Sequence, residues 1–452
     1  MSVHPIDYRY FRPVMRKIFT EDALLQKWLD VESALAFAHA EVGNIPKTVS
    51  AEIMKKATTE YVKLANVKEL EVETRHDIMA MVKALTNVCA DDAGVYVHFG
   101  ATSSDIKDTA RALQFREALD LLQRDLEELG RILLIRAREH KETVCVGRTH
   151  GQHAVPTTYG MKFAVWLDEI GRHLERLEEC RKRVLVGKMT GAVGTMASFG
   201  DKGIQIQKIT LNRLELGVTS ITNQVIQRDR YAELTALQAL IAATVDKIAK
   251  EIRNLQRTEI AELFEPFEKE QVGSSTMPQK RNPIQSEQLC SISRVIKSNV
   301  FVALENVSLE HERDLTNSAA ERIVIPENFV LLDYVLVQLK EVLKNLSLNY
   351  EKIKKNLQLT NGQIMAEKVM LELVKKGMGR QEAHRIVQEV AKKSFIEKKS
   401  FQEVLLQYET LQECLLAQEI ERWLDPHSYL GFAIELVNGV VKKYAERWDI
   451  AI

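Results

Sequence analysis

The chain has 452 residues, 45% of them hydrophobic, with 62 Lys and Arg against 63 Asp and Glu for a formal net charge of −1. That length leaves room for about three domains and the apolar content for a large core, which excludes disorder as the default state. The balanced charge offers no basic excess to nucleic acid or an anionic membrane, so any anion site must be local.

Cys89, Cys145, Cys180, Cys290 and Cys414 are widely separated and show no C-x-x-C spacing, so they suggest neither a disulfide framework nor a zinc site. They read as small core residues of a reducing compartment. The opening MSVHPIDYRYFRP has no apolar signal region, and no stretch approaches about 18 uninterrupted apolar residues. The expectation is a soluble cytoplasmic protein that does not span a membrane.

Only 20 Gly and 9 Pro interrupt the chain. Breakers so scarce predict an all-α fold of long helices. Residues 1 to about 103 hold shorter helical pieces, broken at Gly43-Asn44, Pro46, Gly94 and Gly100. Within them, ETRHDIMAM sets Arg75, His76 and Asp77 at the head of a helical run from Ile78, either as a solvated turn or as a polar site.

In VHFGATSSDIKDTA, Ser104 or Asp105 is a natural cap for the next helix, which runs from Ser104 to Leu129. Capping does not require Thr102 and Ser103, whose hydroxyls beside exposed N–H groups suit a carboxylate or phosphate. GRTHGQHAVPTTYG, residues 147–160, follows, with a helix expected from near Pro156. His150 and His153 could bind a metal, but no carboxylate lies within six residues on the C-terminal side. A structural turn and acid–base chemistry remain the stronger readings.

The run from Tyr231 to Glu265 lacks Gly and Pro and repeats Leu and Ile at steps of three or four, predicting a helix roughly 50 Å long. Between Pro266 and Pro283 lies QVGSSTMPQKRNP, in a connection far longer than the roughly 2–8 residues usual between bundle helices. A solvated linker is the bland reading; the length favours function. A second Gly- and Pro-free run from Ile284 to Ile325 carries EHERDLTNSAAERIV, where Ser318 and Arg322 fall at i and i+4 on one face, able to grip a phosphate or simply to be solvated. Breaks at Asn361-Gly362 and Gly377 mark another set of short helices. The predicted domains are 1–103, a central long-helix bundle over 104–347, and 348–452.

Gly273-Ser274-Ser275-Thr276-Met277-Pro278-Gln279-Lys280-Arg281-Asn282-Pro283 resembles the GSSxMPxKxNP signature of the fumarase/aspartase superfamily. Arg9-Tyr10, Thr74-Arg75-His76-Asp77 and His311-Glu312-Arg313-Asp314 resemble the adenylosuccinate lyase family in particular, and the likeness continues to Ala383-His384. The resemblance implies a long central bundle with two smaller helical caps, in a homotetramer whose active sites each draw on three subunits. It implies cleavage of adenylosuccinate to AMP and fumarate, and of the succinylated carboxamide ribotide to its amide and fumarate, with no metal or organic cofactor.

By the same resemblance Ser274 is the general base, His150 the general acid and Glu287 the carboxylate that orients it. Lys280, Asn282, Thr102, Ser103, Gln224 and Thr149 face the succinyl carboxylates. Arg9, Tyr10, Arg313, Ser318 and Arg322 hold the nucleotide, with Arg75 and Asp77 beside them, and His76 lies near both the phosphate and the acid. Gln279 and Glu310 depart from the usual pattern, and MPQK also resembles argininosuccinate lyase. A lyase or cycloisomerase for another dicarboxylate, and a silent structural protein on the same scaffold, are the alternatives. The segment containing Ser318 and Arg322 argues for a nucleotide, and retention of Ser274, Lys280, Asn282, His150 and Glu287 together argues against silence.

Overall fold

The structure, a computed structural model, describes residues 3–267, 276–277, 279–412 and 416–450. The expected all-α class is found. Five helices dominate: Ser103–Glu139, Tyr159–Val184, Asp229–Leu255, Ile284–Glu305 and Ser318–Lys344. The described strands form three short two-stranded pairs. The chain divides into two compact units, and each boundary between their segments falls inside one of these long helices.

The first unit comprises residues 1–126, 173–245 and 291–337. Its core brings Leu25, Leu29 and Leu35 of the Glu21–Glu41 helix against Met81 and Leu85 of the Asp77–Val88 helix and Ile106, Ala110 and Leu113 of the Ser103 helix. Apolar residues at three- and four-residue steps give each helix one buried stripe. Burial of those stripes, rather than helix propensity, supplies most of the stability.

The second unit comprises residues 127–172, 246–290 and 338–452. One of its clusters joins Val144 and Val146 of strand β1, Val144–Thr149, to Leu357 of the Tyr350–Gln358 helix. A second cluster is formed by Val369, Ile386, Val390 and Phe401 of the carboxyl-terminal helices.

Three expected boundaries move. Pro156 does not open a helix: it lies in strand β2, Gln152–Thr158, opposite Val146, and the helix starts at Tyr159. Both strands of a two-strand ribbon are edges, where proline is tolerated. The helix expected to reach Glu265 ends at Leu255. The run from Ile284 to Ile325 is two helices, because Asp314 accepts the N–H groups of Glu310 at 2.6 Å and of Thr316 at 2.7 Å. Such side-chain bonds offer the backbone an alternative to the helix. Pro326 lies inside the Ser318–Lys344 helix.

Candidate active site

In the first unit, helix ends converge on a cavity of about 460 Å³. Arg75, with φ of 52°, ends the Leu64–Thr74 helix, and His76 caps the next by accepting the Met79 N–H on Nδ1 at 3.3 Å. An acceptor Nδ1 places the proton of the neutral ring on Nε2, which lies 3.3 Å from the Ser103 hydroxyl. Asp77 is the first residue of its helix, as Ser103 and Ser318 are of theirs.

Asp77 receives Arg322 Nη2 at 2.7 Å and Lys107 Nζ at 2.8 Å on separate oxygens. Burial alone would raise its carboxyl, but Lys107 and Arg322 overcome that and hold it below the ordinary carboxylate value. Arg313 donates to Gln224 at 2.7 Å, and Gln224 donates in turn to the Ala192 carbonyl at 2.9 Å. Arg75, His76, Asp77, Ser103, Gln224, Arg313, Ser318 and Arg322 therefore share one cavity. Arg9 and Tyr10 do not line it; Tyr10 packs edge-on to Tyr334, with ring centres 5.7 Å apart, and carries Arg9 over its own ring.

Thr102 is held from below. Its N–H donates at 2.9 Å to Asp105, which also accepts the N–H groups of Thr190 and Gly191 and pairs with Lys188. Both charged side chains are 0% exposed. Asp105 thus works as an internal anchor that fixes the start of the Ser103 helix, a larger role than the simple cap expected.

In the second unit, β1 and β2 pair antiparallel, with Thr149 opposite Gln152. His150 and Gly151 form the two-residue connection, with φ of 54° and 76°. Positive φ at both central positions is the type I′ arrangement, whose twist suits a hairpin. Thr149 and His150 are exposed at the tip. At the base, the fully buried Glu262 pairs with Arg148 and accepts the Tyr159 hydroxyl at 2.7 Å and the Asn356 amide at 2.8 Å. Burial would raise Glu262, yet these three donors hold it below the usual value. His153 is pushed down by burial and then by Arg148, which favours the neutral ring. Among the described residues, no group of three His, Cys, Asp or Glu side chains gathers to hold a metal ion.

Gly273, Ser274 and Ser275 lie outside the described residues. Lys280, Asn282 and Glu287 belong to the second unit with the hairpin, Lys280 and Glu287 exposed, and Glu287 in the first turn of the Ile284 helix. The stem of their loop is clamped. Glu265 accepts the N–H groups of Gln285 at 3.0 Å and Ser286 at 2.9 Å, while Gln256 bonds both the Glu265 N–H and the Arg281 carbonyl. Sequence reading missed Lys107, Glu262 and Glu265. Lys107 had a signal, standing one helical turn beyond Ser103; two glutamates near chain breaks had none.

Residues 7–297 match the family described as Lyase, and residues 362–440 the family described as Adenylosuccinate lyase C-terminus. Adenylosuccinate lyase of Pyrococcus abyssi is 56% identical over 449 residues, covering 99% of each chain. That of Methanocaldococcus jannaschii is 53% identical over 443 residues, 98% of this chain and 96% of its own. N-acetyl-S-(2-succino)cysteine lyase of Dickeya dadantii is 39% identical over 451 residues, 99% and 98%. Among solved structures, 3-carboxy-cis,cis-muconate lactonizing enzyme from Pseudomonas putida superposes with a TM-score of 0.90 at 32% identity, covering 98% of this chain and 99% of its own. Fumarate lyase from Mesorhizobium sp. BNC1 gives 0.89 at 33% identity, covering 96% and 98%. With both family matches and full-length relatives in agreement, the chain belongs to the adenylosuccinate lyase family of the fumarase/aspartase superfamily.

Proposed function

We propose that this chain is a C–N lyase that eliminates fumarate from adenylosuccinate, leaving AMP, and from the succinylated carboxamide ribotide, leaving its amide. The observation that carries this reading is the cavity where Arg313, Ser318 and Arg322 stand together, in a chain 56% identical over its length to an adenylosuccinate lyase. Guanidinium groups bind phosphate oxygens in forked pairs, and a hydroxyl one helical turn away adds a donor.

In this reading Ser274 removes the proton from the succinyl carbon beside the carboxylate. Charge then builds on that carboxylate, where Lys280 and Asn282 stabilise it as fixed donors in a site closed to water. The C–N bond breaks, its electrons go to nitrogen, and His150 supplies the proton that nitrogen requires. Glu287 orients His150, and Thr149, Thr102, Ser103 and Gln224 hold the carboxylates. Arg75, His76 and Asp77 stand beside the nucleotide, and Arg9 and Tyr10 reach it from another subunit of a cytoplasmic homotetramer. Residues 1–103, 104–347 and 348–452 are the three domains of each subunit. A second reading, a lyase for another succinylated compound, is favoured by the 39% identity to a relative named for a succinylated cysteine.

Fumarate release from adenylosuccinate, the carboxamide ribotide, argininosuccinate and N-acetyl-S-(2-succino)cysteine separates these readings. Release from the two nucleotides alone, lost in Ser274→Ala, supports the proposal. Release only from a compound without phosphate overturns it, and full activity in a monomer overturns the shared site.

A further inference from the structure

The Asp77 carboxylate is occupied twice. Its Oδ2 takes Arg322 at 2.7 Å, and its Oδ1 takes Lys107 at 2.8 Å together with the Ile78 N–H at 2.8 Å. Three chain segments thereby meet at one anion: the Asp77 helix, the Ser103 helix through Lys107, and the Ser318 helix through Arg322. Lys107 is one turn beyond Ser103, as Arg322 is one turn beyond Ser318, so both helices present a hydroxyl and a cation to the same cavity.

Lys107 lines this cavity, yet the proposed reaction gives it no role. Its side chain is 24% exposed, against 12% for Asp77 and 57% for Arg322. Among the described residues, Asp77 is its one ion-pair partner. Two cations held at the two oxygens of one carboxylate are spaced to receive two oxygens of a phosphate. A phosphate monoester carries more charge and a third oxygen, so it can replace the carboxylate while Ser318 supplies a further donor.

We propose that Lys107 is a further nucleotide-phosphate ligand, and that Asp77 holds Lys107 and Arg322 in register as a stand-in anion until the phosphate takes its place. The inference rests on the nucleotide reading of this cavity. Asp77 then has a double effect. It preorganises the two cations, and it opposes every anion that enters, so its charge sets how tightly AMP is held. Removing that charge strengthens phosphate binding; removing the Lys107 charge weakens it.

The test is calorimetric binding of AMP, inorganic phosphate and adenosine to the full-length protein and to Lys107→Met, Lys107→Arg, Asp77→Asn and Arg322→Ala. Lys107→Met is expected to weaken AMP and phosphate about tenfold, the scale of one charge-assisted hydrogen bond, with adenosine unmoved and Lys107→Arg restoring much of the loss. Asp77→Asn keeps the oxygen that accepts the Ile78 N–H and is expected to bind both anions several-fold more tightly. Equal loss of AMP and adenosine in Lys107→Met would make Lys107 a structural tie and overturn the proposal. So would wild-type AMP affinity in Lys107→Met while Arg322→Ala is impaired, and the nucleotide reading would survive. Unchanged affinity in both variants would overturn the phosphate placement itself.

Discussion

Glu265 precedes the signature loop and Ser286 follows it, and the carboxylate of the first accepts both the N–H of the second, at 2.9 Å, and its hydroxyl, at 2.8 Å. The bond closes the stem of the segment carrying Lys280 and Asn282 and places an anion at the start of the Ile284 helix, where the helix dipole favours it.

Glu265→Gln keeps the shape of the side chain but turns an amide N–H₂ toward donors. Leaving a buried donor unpaired costs about 1–3 kcal/mol. Urea unfolding should show that loss, and fumarate release should fall by roughly tenfold as Lys280 and Asn282 lose their fixed frame, for about 1.4 kcal/mol of transition-state stabilisation. On the proposal that Arg313 and Arg322 hold the nucleotide, AMP affinity should hold. Equal loss of AMP binding would show that Glu265 supports the whole fold rather than the loop.

The buried pair Asp105 and Lys188 is asymmetric. Asp105 accepts three backbone N–H groups besides the Lys188 ammonium, whereas among the described residues Asp105 is the ion-pair partner that the Lys188 ammonium bonds. Asp105→Ala strands an ammonium and three amides, so it should cost roughly 3–5 kcal/mol and displace Thr102 and Ser103. Lys188→Met leaves Asp105 with its three amides and fills similar volume, so it should cost less. Reversal of that order in thermal unfolding would contradict the assignment of Asp105 as the anchor.

The reach of the sequence differed from residue to residue. Ser318 and Arg322 share a cavity wall because i, i+4 spacing fixes a helical face wherever the helix begins, so the error in the predicted Ile284–Ile325 helix did not disturb them. Pro156 misled because proline suits both a first helical turn and an edge strand, and only the pairing with Val146 decides. Glu262 and Glu265 were invisible because an acidic residue near a chain break usually means solvation. Their roles come from Arg148, Asn356 and Ser286, partners distant in sequence or beyond the loop.

Asp333 predicts a pH dependence. It shares Arg12 with Asp125, and burial, opposed by Arg12 and assisted by Asp125, raises its carboxyl to about 6. The folded state therefore holds this proton more tightly than the unfolded chain, with its ordinary value of 3.8. This group's contribution to stability must fall as pH rises from about 4 to about 6. Asp77 and Glu262, held below their ordinary values of 3.8 and 4.5, act with the opposite sign, their stabilising contributions being lost as pH falls through those values. Asp333→Asn has no proton to lose, so its stability relative to wild type should improve across the window. A difference that stays flat from pH 4 to 6 in urea titrations would refute the raised value.

Two helical glycines should respond oppositely to alanine. Gly439, in Ala433–Arg447, has no atom within 4 Å of where a Cβ would stand, so Gly439→Ala should stabilise by about 0.5–1 kcal/mol through the unfolded chain and helix propensity. Gly171, in Tyr159–Val184, would place its Cβ 2.0 Å from the Tyr444 hydroxyl and 2.2 Å from two ring carbons. That close approach lets Tyr444 reach Asp168, to which it donates at 2.9 Å. Gly171→Ala should cost roughly 1–3 kcal/mol despite its better propensity. Tyr444→Phe should not rescue it, since the ring carbons remain. Tyr444→Leu should, in the sense that adding Gly171→Ala to that variant costs little, and this non-additivity in a double-mutant cycle is what separates a steric cause from a change in helix propensity.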